Sequence, residues 1–406
     1  MSPKARRQKP ARTPRLSILR ARRGLLFTFA LFALAACRPH DFPQYDPNYR
    51  EYAYVTNGSS STVSVYDVVN VRVDREIPVG QNPTAVAANP TRNEVYVVNG
   101  GAANGQGSVA VIDAEKNLVA ATIPVHKLPV AIALDPAGTF AYVVNSGSNS
   151  ISVLDLKARR ETAQIGVGED PAAARVSPDG RTLVVANRGG NSVSLIEIAT
   201  RRVRSVMEGC PGASDVVILP DSSKTFAACS GGHQVMAILL EHEARPDGRS
   251  ATADRIQSLL DVGRGPVQLA LKPDGGEVFV SNSLSNSISE IYANTNDVAG
   301  AYLMGADPVR GLVSADNSLL YVGNLHSAEV TVYSIEDGKR IGPGIHVGDG
   351  PSAMAFSSAG HLLFVVDTRS SDVAVVRTQS KPPAMFTMLP AGRGPNAIAV
   401  KAFRLG

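Results

Sequence analysis

Tyr54–Asp67 reads YVTNGSSSTVSVYD: a Tyr-Val-x-Asn run, a Gly/Ser loop, and a strictly alternating run closed by Asp. The first phrase returns as YVVN (Tyr96–Asn99), YVVN (Tyr142–Asn145), VVAN (Val184–Asn187), FVSN (Phe279–Asn282), YVGN (Tyr321–Asn324) and FVVD (Phe364–Asp367), with a degenerate FAAC at Phe226–Cys229. From the last letter of one copy to the last of the next the spacings are 42, 46, 42, 42, 53, 42 and 43 residues. A Gly-x-x-Pro turn keeps the same period at Gly80–Pro83, Gly168–Pro171, Gly263–Pro266, Gly305–Pro308, Gly348–Pro351 and Gly392–Pro395. His126–Pro129 is a variant of this turn and Glu208–Ala213 a distorted copy. Self-similarity at about 40–45 residues marks a propeller or a solenoid.

Strand content decides between them. Each unit holds four short runs: one after the Pro (VAIALDP, Val130–Pro136), the Tyr-Val-x-Asn run, an alternating run (SISVLD, Ser150–Asp155), and a run into the next turn (AATIPV, Ala120–Val125). Period-two alternation bounded by Gly, Asn, Ser and Pro reads as antiparallel strands. Four strands per unit is a propeller blade, and blades stack face to face to bury both sides. The expectation is an all-β propeller spanning residues 51–403 with eight four-stranded blades, or seven if the degenerate fifth unit forms none. The body opens on a second strand (Tyr52–Asn57) and ends after a first strand, PNAIAV (Pro395–Val400). The C-terminal strand is therefore expected to complete the N-terminal blade, which removes two raw sheet edges.

Residues 1–36 carry nine Lys or Arg and no acidic residue, and end in the apolar run GLLFTFALFALAA (Gly24–Ala36) before Cys37. A basic region, a short apolar core and small residues before a cut point describe a secretory signal. Leu34-Ala35-Ala36-Cys37 reads as a lipobox, with Cys37 the lipidated mature N-terminus, while Arg22-Arg23 only faintly resembles a twin-arginine signal. The whole chain is net +4; without the signal, 31 basic residues face 36 acidic ones. The high pI thus belongs to the leader, and the body does not read as a nucleic-acid binder. Residues 37–50 read as a tether. The expectation is an exported monomer held in the bacterial envelope by its lipid, facing the periplasm or the outer membrane.

The recurring Tyr54–Asn57, Tyr96–Asn99 and Tyr142–Asn145 phrases, the Gly-x-x-Pro turns and the alternating strands resemble the YVTN β-propeller repeat family across nearly the whole mature chain. Such domains are similar to archaeal surface-layer propellers. More distantly they resemble the eight-bladed haem-binding domain of cytochrome-type nitrite reductases and lactonase-type propellers. The resemblance implies a scaffold rather than a chemistry.

Residues that recur blade by blade are expected to be structural: Tyr and Val for a half-buried strand, Asn for unusual turn dihedrals and local backbone bonds, and the closing Asp for turn amides. Departures carry the functional signal. Two residues after the Pro the column reads Ala85, Ala131, Ala173, Asp215, Gln268, Arg310, Ala353, Ala397, and Arg175 departs two residues further on the same strand face. Arg175, Asp215, Gln268 and Arg310 are expected to form a polar arc in the central channel, either holding an anionic group between two arginines or simply pairing with one another in water. On the face carrying the Gly-x-x-Pro turns, His126, Arg188, His233, Arg264, His326, Arg369 and Arg393 are expected to form a basic mouth. The seven His show no metal-ligand spacing.

Cys210 precedes a first strand and Cys229 ends a second strand, so antiparallel pairing brings them to bonding distance. Export supplies an oxidising compartment, and a Cys210–Cys229 disulfide is expected. The insertion EHEARPDGRSATADR (Glu241–Arg255) reads as an exposed loop on the opposite face. No nucleophile elbow, paired-carboxylate signature or phosphate loop is present. The functional expectation is a non-catalytic envelope lipoprotein that binds a protein partner or a small anionic ligand at its channel face. A lactonase-like hydrolase and a haem-binding or haem-delivery protein are the alternatives. No cofactor is expected, haem on His233 or His326 being the one that the resemblance leaves open.

Overall fold

Each repeat unit folds into one antiparallel sheet whose strands lie in chain order from the channel outward, save that the C-terminal strand is the innermost of the first sheet. The second strands are buried along almost their whole length, as in Glu94–Asn99, because both faces meet a neighbouring blade. Tyr96 and Val98 pack with Val143 and Leu154 of the next blade, while Val95 and Val97 pack with Tyr54 and Val63 of the preceding one. The apolar core is therefore a series of inter-blade layers, and a lone blade could not bury either of its faces.

The computed structural model describes residues 43–103, 105–241 and 253–406, of which Asn48–Gly406 is one compact unit. The leader, Cys37 and most of the tether lie outside the described residues. Eight blades are present. Numbered by their Tyr-Val-x-Asn strands, they run from blade 1 (Tyr49–Asn57) to blade 8 (Leu362–Asp367). The degenerate fifth unit is a full blade, Ala213–Ile218, Lys224–Cys229, Gln234–Leu239 and Arg255–Asp261. In blade 7 the outer strand is split into Lys339–Arg340 and Ile345–His346 around Gly342, Pro343 and Gly344. Among the described residues no helix is long and apolar enough to cross a membrane.

The ring closes as the sequence implies. Pro395–Arg404 is the inner strand of blade 1 and pairs antiparallel with Tyr49–Asn57, from Tyr49↔Arg404 to Asn57↔Pro395. This seam is longer than the six-residue inner strands of the other blades. Tyr49 and Arg50, read as tether, belong to it. The buried Glu51 extends the lock by accepting the Ser358 amide of blade 8.

The repeated Asn does a different job from the one its turn propensity suggests. Asn145 and Asn282 have negative φ, −102° and −101°. The positive φ falls four residues after the marker, at Ser61, Asn149, Asn191, Asn286, Ala328 and Ser371. The expected local backbone bonds are made by Asn145, to Val143 O, and by Asn324, to Val322 O and Glu329 O, and the buried Asn side chain also reaches across to hydroxyls of the third strand: Asn57 Nδ2 donates to Thr62 and Ser64 at 3.0 and 2.9 Å, and Asn187 Nδ2 to Ser192 and Ser194 at 3.2 and 2.9 Å. The glycine of Gly-x-x-Pro leaves room for this amide, since a Cβ on Gly168 would stand 2.6 Å from the Asn187 Cγ. In blade 5 the same two positions are Cys210 and Cys229, joined by a disulfide across a 4.8 Å Cα separation. A covalent bond thus replaces the Gly–Asn contact. The closing Asp behaves as expected: Asp113 accepts the amides of Glu115 and Lys116, and Asp155 that of Ala158.

Candidate functional site

Every inner strand carries a β-bulge just after its Pro position, so the eight column residues fall in one register. Ala85 faces Val98, Ala131 Val144, Ala173 Ala186, Asp215 Ala228, Gln268 Ser281, Arg310 Gly323, Ala353 Val366 and Ala397 Thr56. All eight inner strands contribute to a central cavity of ≈ 420 Å³, whose lining includes Arg175, Asp215, Gln268 and Arg310. The expected polar arc is therefore assembled on blades 4 to 7, with small apolar residues completing the ring. Side-chain size is complementary across five of the eight strand pairs. Valine stands beside Ala85, Ala131 and Ala353, whereas Ser281 and Gly323 stand beside the longer Gln268 and Arg310.

Most of the arc is bound into the ring. Asp215, 6 % exposed, accepts the Leu269 amide of the next blade at 3.1 Å and lies 3.6 Å from Arg175 Nη2. Gln268, 8 % exposed, accepts the Gly311 amide of the next blade at 2.6 Å and donates to Leu269 O. Arg175 donates to Ala174 O at 3.0 Å, and its side chain remains 46 % exposed to the channel. Arg310 is different. Its guanidinium makes no hydrogen bond to any described residue, and its Nε is sealed from water without a partner. Burial pushes its pKa below the ordinary arginine value; Asp215 opposes that push and Arg175 adds to it. Arginine keeps its charge under such a push, so the channel holds one cation that no carboxylate neutralises directly.

The mouth is less basic than its sequence implies. Arg188 is bidentate on Asp170, at 2.8 and 3.1 Å. His326 Nδ1 lies 2.7 Å from Asp307 and its Nε2 2.8 Å from Arg369, which also reaches Asp349 at 3.4 Å. His126 faces Glu161 at 3.2 Å. These aspartates belong to the Gly-x-x-Pro turns, so most of the basic residues are paired with the same or the adjacent blade. Arg264 donates to Leu284 O, at 3.4 Å, while His233 and Arg393 are exposed with their side chains outside these pairs.

A larger cavity, ≈ 890 Å³, opens on the opposite face between blades 7 and 8, beside Tyr321, Phe356, Ile341 and Lys381. It exists because the outer strand of blade 7 is interrupted at Gly342–Gly344, a local irregularity that period counting does not reveal. Its one carboxylate, Asp316, is already bonded to Ser314 and Ser318. The chemically distinctive groups are thus in the smaller, central cavity. Among the described residues no cluster of His, Cys, Asp and Glu could hold a metal ion.

No family model and no curated protein matches the sequence. Solved structures do share the fold. Dihydro-heme d1 dehydrogenase NirN in complex with DHE aligns with a TM-score of 0.67 at 15 % identity, over 90 % of this chain and 78 % of that one. Citrobacter koseri AztD aligns with a TM-score of 0.63 at 12 % identity, over 87 % and 98 %. Kuenenia stuttgartiensis hydrazine synthase aligns with a TM-score of 0.53 at 22 % identity, over 69 % and 91 %. At these identities the likeness is one of fold: this chain is a β-propeller like them, its own ring made of eight blades.

Proposed function

We propose that this chain is an exported, lipid-anchored propeller of the YVTN type that binds a small anionic ligand in its central channel without transforming it. The observation that supports the reading is Arg310, a half-buried arginine lining a cavity of ligand size, its Nε sealed without an acceptor among the described residues. Guanidinium groups recognise carboxylate and phosphate oxygens through a rigid fork of donors. Arg175, still largely exposed beside Asp215, extends the same positive sector. The lipobox at Cys37 supports an envelope location, with the ring displayed on a short tether.

Charge reversal tests the site. Arg175→Glu and Arg310→Glu are expected to abolish anion binding measured by calorimetry while the ring stays folded. Unchanged binding in both variants rejects the channel. A lactonase-like reaction would need a base beside the arginines. The one carboxylate lining the cavity, Asp215, is already tied to the Leu269 amide and Arg175.

A haem reading draws support from the fold shared with NirN, whose structure is a complex with DHE. Of the two axial candidates, His326 has both ring nitrogens engaged, by Asp307 and Arg369. His233 is the better ligand in this chain. Absorbance in the Soret region after haem reconstitution, lost in His233→Ala, would support that reading, and a featureless spectrum would remove it.

A further inference from the structure

The inner strands present one edge amide to the channel at the same level in successive blades. Leu269 N–H donates to Asp215 Oδ2 of the preceding blade, and Gly311 N–H donates to Gln268 Oε1 of the preceding blade. Each acceptor stands in the channel column, and each donor is the residue after the column in the next blade. Leu269 faces Val280 and Gly311 faces Val322; Met354 of blade 8 faces Val365 in the same register. The next junction of the series therefore matches the Met354 amide with Arg310. Arginine has only donors, so it cannot accept that amide as Asp215 and Gln268 accept theirs. By that register the junction offers two donors and no acceptor, the guanidinium fork and the edge amide.

The surroundings set the chemistry of what they bind. Asp215 lies beside Arg175, leaving Arg310 as the charge to be matched and calling for a single negative charge. Gly323 stands beside Arg310 and brings no side chain of its own there. The wall beyond Arg310 carries Ala353, Ala397 and Ala85 on the next three blades, small and apolar. We propose that the channel takes a small monocarboxylate with an apolar body. Its carboxylate occupies, at the junction of blades 7 and 8, the place that the Asp215 carboxylate and the Gln268 carboxamide occupy at the two preceding junctions. This rests on the anion-binding reading above and names its ligand class.

The test is calorimetry on the full mature chain with propionate, benzoate, benzamide and inorganic phosphate. Propionate and benzoate are expected to bind, with benzamide and phosphate about tenfold weaker or worse, the size of one lost charge-assisted bond. Arg310→Gln supplies an internal carboxamide for the Met354 amide, as Gln268 does for Gly311. It is expected to weaken both carboxylates about tenfold or more while leaving the urea unfolding midpoint within error of wild type. Phosphate binding as tightly as the carboxylates, and equally dependent on Arg310, overturns the monocarboxylate assignment and leaves the anion-binding reading intact. Carboxylate binding that Arg310→Gln does not change overturns the proposed position. No Arg310-dependent binding of any of the four removes both readings.

Discussion

Asp367 occupies the buried position that carries Asn in six other blades, and replacing it with Asn should change how stability depends on pH. Its Oδ2 accepts the Gly348 amide at 3.0 Å, and its Oδ1 is buried without a partner. Burial pushes its carboxyl up to about 8; the neighbouring Asp372 adds to the rise, and the amides of Gly348 and Ala374 oppose it. An unfolded aspartate titrates near 3.9. Between those two values the folded chain holds a proton that the unfolded chain has released, so stability falls as pH rises. The slope is about 1.4 kcal/mol per pH unit for one proton, and from about pH 5 to pH 7 the loss is roughly 2.7 kcal/mol. Asp367→Asn removes that proton and supplies an amide that can donate to Asp372, as Asn57 donates to Thr62. Urea unfolding of both proteins at the two pH values measures the effect. The variant is expected to gain roughly 2.7 kcal/mol on wild type between them. Parallel pH profiles would show that Asp367 is ionised in the folded ring and would refute the reasoning.

Three further outcomes follow from the packing. Arg204 grips the base of the long insertion, with Nε and Nη2 on the Asp254 carboxylate at 2.7 and 2.8 Å. Arg204→Ala strands that buried carboxylate and is expected to cost about 3–5 kcal/mol in urea unfolding; a loss below 1 kcal/mol, about the worth of an exposed pair, would contradict it. Replacing Cys210 and Cys229 together with Ala should remove about 3 kcal/mol, and reductant should lower wild type to the variant's level without moving the variant. Deleting Pro395–Gly406 strips the inner strand from blade 1 and should abolish cooperative unfolding; a stable, unchanged truncate would mean the seam is not what closes the ring.

The architecture was legible because a repeat proclaims itself: a fixed period, four strand-like runs per unit, and ends that begin and stop mid-blade. The disulfide was legible because Cys210 and Cys229 stand at positions that the repeat already places in contact. The repeated Asn was half read: Asn145 and Asn324 make the expected local backbone bonds, but the turn dihedral falls elsewhere, and the signal for the hydroxyl contacts was present. Blades with Asn carry a Ser or Thr facing it, such as Thr62, Ser108 or Ser192, or two residues further along the third strand, such as Thr331, while blades 5 and 8, which lack Asn, carry Gln234 and Met236, and Asp372 and Ala374. The channel column could be aligned from the sequence, but its energetics could not, because Asp215 and Gln268 find their partners in the next blade's backbone. The mouth was overread for a similar reason. Asp170, Asp307 and Asp349 lie in the turns that present the mouth, and only the three-dimensional pairing shows that they cancel Arg188, His326 and Arg369.

Native mass spectrometry can show whether Arg310 anchors a small anion in the channel. The mature protein and its Arg310→Glu variant would be purified side by side under non-denaturing conditions. A small acid is expected to be released from the wild-type ring and to be absent from the variant. Identical spectra for two equally folded proteins, both empty or both loaded, would contradict it.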